Sequence, residues 1–317
     1  MIPSRVLLVL VSFWASGIAG GNAAERDAVS LRIRHSFECA SNAQIAFSPD
    51  GESLAVAAAD YVDIWNVVSG KKPRRLGARK QERLYGYTNS VAFSRDGKFL
   101  ATGGRRGIVT IWDVAEGKVL HKIRAHVVVV DELHVIKRDG KVVKNLKETR
   151  YDPSPIVSVA FSPDGKTVAA ASHDRRISIS DVATGKVLKY LRADGNITAL
   201  AFLANSNSLV TGSEGDRKNV IGIWDVAQGK RVAQLGDRRY ILGITSLSVS
   251  GDGGLLVGTT GPTEFLPAPA IRLWDLQERR QLKSIVPLGK DGCATHAALS
   301  PDGKYVASVG GLNRLVL

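Results

Sequence analysis

Two cysteines and one methionine, Met1, are all the sulfur that these 317 residues contain. No C-x-x-C-H run is present, which removes covalent haem attachment. A chain trimmed of its first residue would have no thioether to offer a metal. A Walker loop, an H-E-x-x-H and a G-x-S-x-G are also missing, so no reaction class that depends on such a local motif is supported. Histidine is scarce, and only His121, His126, Asp131, Glu132 and His134 fall close together. Their spacing matches no zinc-ligand pattern, and structural or solvated roles are expected for them; neither metal nor cofactor is expected. Aromatic residues make up only 6 % of a chain that is 44 % hydrophobic, which suits one large β-domain rather than two.

What is present in excess is positive charge. The 43 Lys and Arg outnumber the 30 Asp and Glu, for a formal net charge of +13 and a bias towards acidic partners. The first 24 residues read as an export signal: Arg5 is the charged lead, Val6–Ala19 the apolar core, and G-I-A-G-G-N-A-A the small-residue cleavage zone between Ala19 and Glu25. That apolar run is about half of what crosses a bilayer, so no membrane span is expected in the mature chain. Export in turn disfavours nucleic acid as the partner. It also suggests pairing of the two cysteines, Cys39 and Cys293, if their Cα atoms come within about 7 Å.

The chain is organised around a repeat. Val91–Leu120 and Val159–Leu188 match at 16 of 30 positions without a gap. A period of this length indicates an array of one supersecondary unit. Each unit reads as strand, turn, strand, turn, strand, turn, strand. S-P-D-G-K is a tight turn in which glycine takes the positive φ, and T-I-W-D alternates with the period of a half-buried strand.

F-S-P-D-G followed by I-W-D-V and G-K resembles the tryptophan–aspartate (WD) repeat β-propellers. The dipeptide stands as Trp112-Asp113, Trp224-Asp225 and Trp274-Asp275, and in weaker form as Trp65-Asn66 and Ser180-Asp181. The resemblance implies an all-β fold, a single propeller of four-stranded antiparallel blades over residues 28–317. It gives structural roles to these residues, to His126 and to the turn at His173-Asp174. The first turns follow Phe47, Phe93, Phe161, Phe202, Val249 and Leu299, which counts six blades. The long second interval holds an insertion at about 127–155, read as a hairpin turning at Asp139-Gly140, with a degenerate seventh blade as the alternative. Ser30–Phe37 reads as a fourth strand that closes the last blade, whose third strand would be Asn313–Leu317.

The turns after first and third strands share one face of such a disc, and those after second and fourth strands share the other. Irregular loops concentrate on the second face, where binding is expected. Residues 71–83 carry seven basic side chains against Glu82, among them Arg79, Lys80 and Arg83, with Tyr85 and Tyr87 following. The loop 261–269 presents Phe265 and Leu266 between prolines. These are the candidate partner-binding residues, set against a reading of both stretches as solvated loops. The expected function is an exported, non-catalytic protein-interaction scaffold. The alternatives are an enzyme whose residues converge on the central channel from several blades, and a binder of anionic glycans or polymers through 71–83.

Overall fold

A computed structural model describes residues 5–14, 30–40, 44–58, 61–69, 73–76, 88–138, 141–193, 195–204, 207–214, 221–235, 243–260, 270–285, 293–300 and 302–311. Every element in it is a strand. Two come first, β1 (Arg5–Trp14) and β2 (Ser30–Ala40). Blade one follows as β3 (Gln44–Phe47), β4 (Ser53–Ala58), β5 (Tyr61–Asn66) and β6 (Arg74–Leu76). Blade two is β7 (Thr88–Phe93), β8 (Phe99–Gly104), β9 (Ile108–Asp113) and β10 (Lys118–Arg124). A ribbon of β11 (Val127–Arg138) and β12 (Lys141–Pro153) interrupts the series. Blade three is β13 (Ile156–Phe161), β14 (Thr167–Ser172), β15 (Arg176–Asp181) and β16 (Val187–Arg192). Blade four is β17 (Asn196–Phe202), β18 (Ser208–Glu214), β19 (Ile221–Asp225) and β20 (Lys230–Leu235). Blade five is β21 (Ile244–Val249), β22 (Leu255–Thr260), β23 (Ala270–Asp275) and β24 (Arg280–Ile285). The last strands are β25 (Cys293–Leu299) and β26 (Tyr305–Gly311).

Each blade is an antiparallel meander of four strands, and a further four-stranded sheet has the order β2-β1-β26-β25. That sheet draws strands from both ends of the sequence. Its fourth strand is β2, which contains the predicted Ser30–Phe37. Its third position is not filled as the sequence suggested: β1, the apolar core of the predicted export signal, lies there, pairing Val9–Ser12 with Tyr305–Ser308. A third strand is covered on both faces and on both edges, so V-L-L-V-L-V meets its requirements as well as those of a signal core. Asn313–Leu317 lie outside the described residues. The segment weighed as a degenerate seventh blade is a two-stranded sheet of its own.

The apolar cores lie between blades. Ala101, Val109, Ile111 and Ile123 of blade two pack on Ile156, Val159, Phe161 and Val168 of blade three. Similar clusters join blades one to two, three to four, four to five, and five to the composite sheet. First strands touch in succession from β3 through β7, β13, β17 and β21 to β25, and β25 touches β3. The result is a β-propeller.

Two bulges recur and set what faces outward. In the second to fifth blades, the first strand carries one extra residue near its start: Asn89, Val157, Thr198 and Thr245. In the same blades the fourth strand has an extra residue at Leu120, Leu188, Val232 and Leu282. A bulge breaks the two-residue alternation and re-aims the side chain that it carries. This is why these four apolar residues are exposed on the rim.

Candidate functional site: the channel and the face around its mouth

The first strands enclose a central cavity of about 470 Å³. At the end where these strands begin, the wall includes Gln44, Val157, Thr198, Thr245 and His296; at the other end it includes Pro49, Arg95, Pro163 and Gly251. Among the described residues the wall has no carboxylate and a single histidine. The described residues also bring together no group of three or more His, Cys, Asp or Glu side chains that could hold a metal.

Hydroxyls three positions before the end of the first strands join blade to blade. Ser90 Oγ accepts the Val159 N–H at 2.8 Å, Ser158 Oγ the Leu200 N–H at 3.0 Å, and Ser246 Oγ the Ala297 N–H at 2.8 Å. The same position holds Gln44 in blade one and His296 in β25, and there the side chains meet: Gln44 Nε2 donates to His296 Nε2 at 2.6 Å. Desolvation lowers the His296 pKa to about 4, so the ring is neutral and can accept that proton. Farther out, Arg74 donates to the Val114 and Ala115 carbonyls of the next blade, His121 Nε2 to Ala183 O, and Lys189 to Val226 O. None of these contacts was visible in the sequence, because they cross between blades. Their one signal is a serine three positions before the end of the first strand in blades two, three and five.

The turn after each first strand is closed by its own side chains. In blade three, Ser162 Oγ donates to Asp164 Oδ1 at 2.6 Å and accepts the Thr167 N–H at 3.0 Å, while Asp164 Oδ1 accepts the Lys166 N–H at 3.0 Å. Ser48 with Asp50, Ser94 with Asp96, and Ser250 with Asp252 repeat the set, and Ser300 with Asp302 does so in the composite sheet. The Ser48, Ser162 and Ser250 hydroxyls hold the carboxyls of Asp50, Asp164 and Asp252 below the usual carboxylate range. At Asp96 and Asp302 burial opposes the shift, and the serine hydroxyl, the backbone N–H and the neighbouring lysine outweigh it. Blade four has Leu203 in place of the serine. On the same face Asp113, Asp181, Asp225 and Asp275 accept backbone N–H groups two or three residues on, capping the turn after the third strand.

The family model for the nucleolar protein 10-like N-terminal domain, a β-propeller, matches residues 32–266. The chain is 27 % identical over 273 residues to the WD repeat-containing protein slp1 of Schizosaccharomyces pombe, covering 80 % of this chain and 53 % of that one. It is 25 % identical over 194 residues to the small ribosomal subunit protein RACK1y of Oryza sativa subsp. japonica, covering 58 % and 47 %. A stretch of 147 residues is 31 % identical to protein hir1 of Aspergillus terreus, covering 42 % and 14 %. The chain belongs to the WD-repeat β-propellers. It spans about half the length or less of these relatives.

Within this WD-repeat propeller, Trp112 is fully buried and donates to Thr102 Oγ1 at 3.0 Å, and Trp224 donates to Thr211 Oγ1 at 2.8 Å. Trp274 is buried against Ile244 and Leu256, and Trp65 lies in β5 of blade one. Ser180 takes the tryptophan position in blade three, and its hydroxyl is buried. His126 is buried, and its Nδ1 lies 3.1 Å from Asp174 Oδ2, which also accepts Arg176 Nη2 at 2.6 Å. Burial raises the Asp174 pKa, but His126 and Arg176 together pull it below the normal value. His121 and His126 are thus engaged with different partners; Asp131, Glu132 and His134 lie on β11.

Arg79, Lys80, Arg83, Tyr85, Tyr87, Phe265 and Leu266 lie outside the described residues. The described part of the basic stretch is used internally: Arg75 forms a two-point pair with Asp63 at 2.7 and 2.8 Å and lies 3.7 Å above the Tyr61 ring. Cys39 and Cys293 are not brought together. Their strands are the two outer members of the β2-β1-β26-β25 sheet, three spacings or about 14 Å apart. That is about twice the reach of a disulfide. No helix among the described residues is long and apolar enough to cross a membrane.

Proposed function

We propose that this chain is an exported, six-bladed scaffold without catalytic activity, which holds acidic protein partners on the face reached by the second and fourth strands. One observation carries the reading: the two faces of the disc are built differently. Outside the first turn of blade four, the turns after first and third strands are held by their own serine, aspartate or asparagine hydrogen bonds and look alike from blade to blade. The opposite face carries the β11–β12 ribbon, the exposed Arg105 and Arg106, the exposed His173 and the bulged polar residues at the channel mouth. Uniform, self-satisfied turns offer a partner little, whereas irregular loops on a rigid frame are where binding resides. Arg79, Lys80, Arg83, Tyr85, Tyr87, Phe265 and Leu266 fall in connections that begin and end at this second face and belong to the proposed surface. A channel enzyme is less well supported, because the described wall lacks a carboxylate.

The test is partner capture from the native compartment with three proteins: the parent, Arg105→Glu/Arg106→Glu/His173→Glu on the variable face, and Lys98→Glu/Lys166→Glu on the other. Loss of the parent's partners from the first variant alone is expected. Loss from the second alone overturns the assignment of the face. Export has its own test in the mass of the mature protein. A start between residues 20 and 25 supports a cleaved signal; a start at residue 1 or 2 means that β1 stays in the blade and refutes it.

A further inference from the structure

Among the described residues the β11–β12 ribbon stands outside the four-stranded sheets. Its strands of 12 and 13 residues pair in register from Val127 with Pro153 to Arg138 with Lys141, with one irregularity after Ile136. At about 3.3 Å per residue the ribbon is about 40 Å long. It leaves blade two after His126 and returns to blade three at Ser154, whose N–H donates to the His126 carbonyl at 2.9 Å. Among the described residues it forms a sheet by itself, with the outer edge of each strand unpaired. A two-stranded ribbon is marginal in water, and a third strand or a covering surface is needed to hold it.

The register sorts its residues onto two faces. One face takes Val127, Val129, Leu133, Val135 and Val142, with Tyr151 opposite Val129, and with them Asp131, Lys137 and Lys147. The other takes most of the charges, among them Glu132 opposite Glu148 and Arg138 opposite Lys141. Charge also separates along the ribbon. The acidic Asp131, Glu132, Glu148 and Asp152 lie in its basal half. The distal half, Leu133–Lys147, carries Lys137, Arg138, Lys141, Lys144 and Lys147 against Asp139 alone. The two edges differ too: Lys141–Lys147 of β12 has three lysines and no acid, whereas β11 brings Asp131 and Glu132 along its own length.

We propose that the distal half of β12 is a docking edge for an acidic, extended segment of a partner protein, which adds to the ribbon as its third strand. Main-chain hydrogen bonds to the free edge would supply affinity, and the lysines would select acidic side chains. The same lysines argue against a second copy of this chain as the occupant, because like charges along an edge oppose its self-pairing. This deepens the scaffold reading and rests on it, since it names one part of the variable face and the chemistry that it takes.

The probe is a labelled peptide alternating glutamate with valine, titrated by fluorescence anisotropy against the full chain. A polyglutamate of equal charge and weak strand propensity serves as the control. Two variants complete the set: Lys141→Glu/Lys144→Glu/Lys147→Glu, and a chain with the ribbon cut back to Val130 and Arg150 and closed by Asn-Gly. Binding of the alternating peptide should weaken at least about tenfold in both variants and in high salt, while the blades keep their melting temperature. Equal binding to the shortened chain places the site elsewhere and overturns the proposal. Polyglutamate binding as tightly as the alternating peptide overturns strand addition in favour of a plain charge effect. A concentration-dependent dimer lost on shortening the ribbon makes a second copy the occupant and also overturns it. If native partners remain bound to the shortened chain but are lost from the Arg105/Arg106/His173 variant, the ribbon proposal fails while the scaffold reading stands.

Discussion

Replacing Ser162 by alanine tests how the repeated turn is held. The hydroxyl is buried, donates to Asp164 and accepts the Thr167 N–H. Alanine leaves that N–H without its acceptor inside the sheet, which costs about 1–3 kcal/mol. Asp164 is exposed and recovers most of its lost bond from water. A net loss of about 2 kcal/mol follows, or about 4 °C in melting temperature for a domain of this size. Asp164→Asn keeps an acceptor oxygen in place and should cost less, under about 1 kcal/mol. Blade four shows why neither change should unfold the protein: with Leu203 at the serine position, its N–H still donates to Ser208 O at 2.8 Å, as the Ser162 N–H does to Thr167 O at 2.9 Å. Thermal unfolding by circular dichroism gives the stability, and hydrogen–deuterium exchange over the β13–β14 turn gives the location. A Ser162→Ala protein melting within about 1 °C of the parent, or an Asp164→Asn protein melting below it, would show that the hydroxyl is not what locks this turn.

Acid should destabilise in two stages. His296 has its folded pKa lowered to about 4, so its unfolded form takes up a proton first; stability therefore falls below about pH 6.5 and goes on falling to about pH 4, and His296→Gln should remove that stage from a series of melts. Asp50, Asp96, Asp164, Asp174, Asp252 and Asp302 are lowered as well; their contribution is complete above about pH 5 and is lost below about pH 4, the second stage. Gly107 has φ +66°, and a Cβ there would collide with the His126 carbonyl oxygen, so Gly107→Ala should cost about 3 kcal/mol in denaturant unfolding. Ser180 Oγ is buried and has no hydrogen-bond partner among the described residues; Ser180→Ala should raise stability by about 1 kcal/mol, and a loss of that size would mean that the hydroxyl is satisfied in solution.

What could be read from the sequence was what the chain decides locally. S-P-D-G and W-D mark turns whose bonds close within five residues, so each copy carries its whole explanation. The Asp139-Gly140 dipeptide marked the ribbon by the same logic. The bond from Val159 to Ser90 joins residues in different blades, and the recurring serine does not by itself name its partner. Blade three also lacks the tryptophan at Ser180 and still forms, because β15 is held on both edges by β14 and β16. The third strand of the composite sheet was misplaced for another reason. A ten-residue strand with eight apolar residues satisfies a central strand and an export signal equally, and composition alone cannot choose between them.

The composite sheet also constrains the order of events during folding. Blades one to five are each built from strands close together in the chain, so each can fold soon after it is synthesised. The contact of Gln44 with His296, which closes β25 on β3, must wait for almost everything in between. Closing so large a loop is entropically costly and therefore late. Until then the blades form an open arc with one unfinished sheet. The seam between strands far apart in the sequence is thus the last part of the ring to form, and rigidity waits for it.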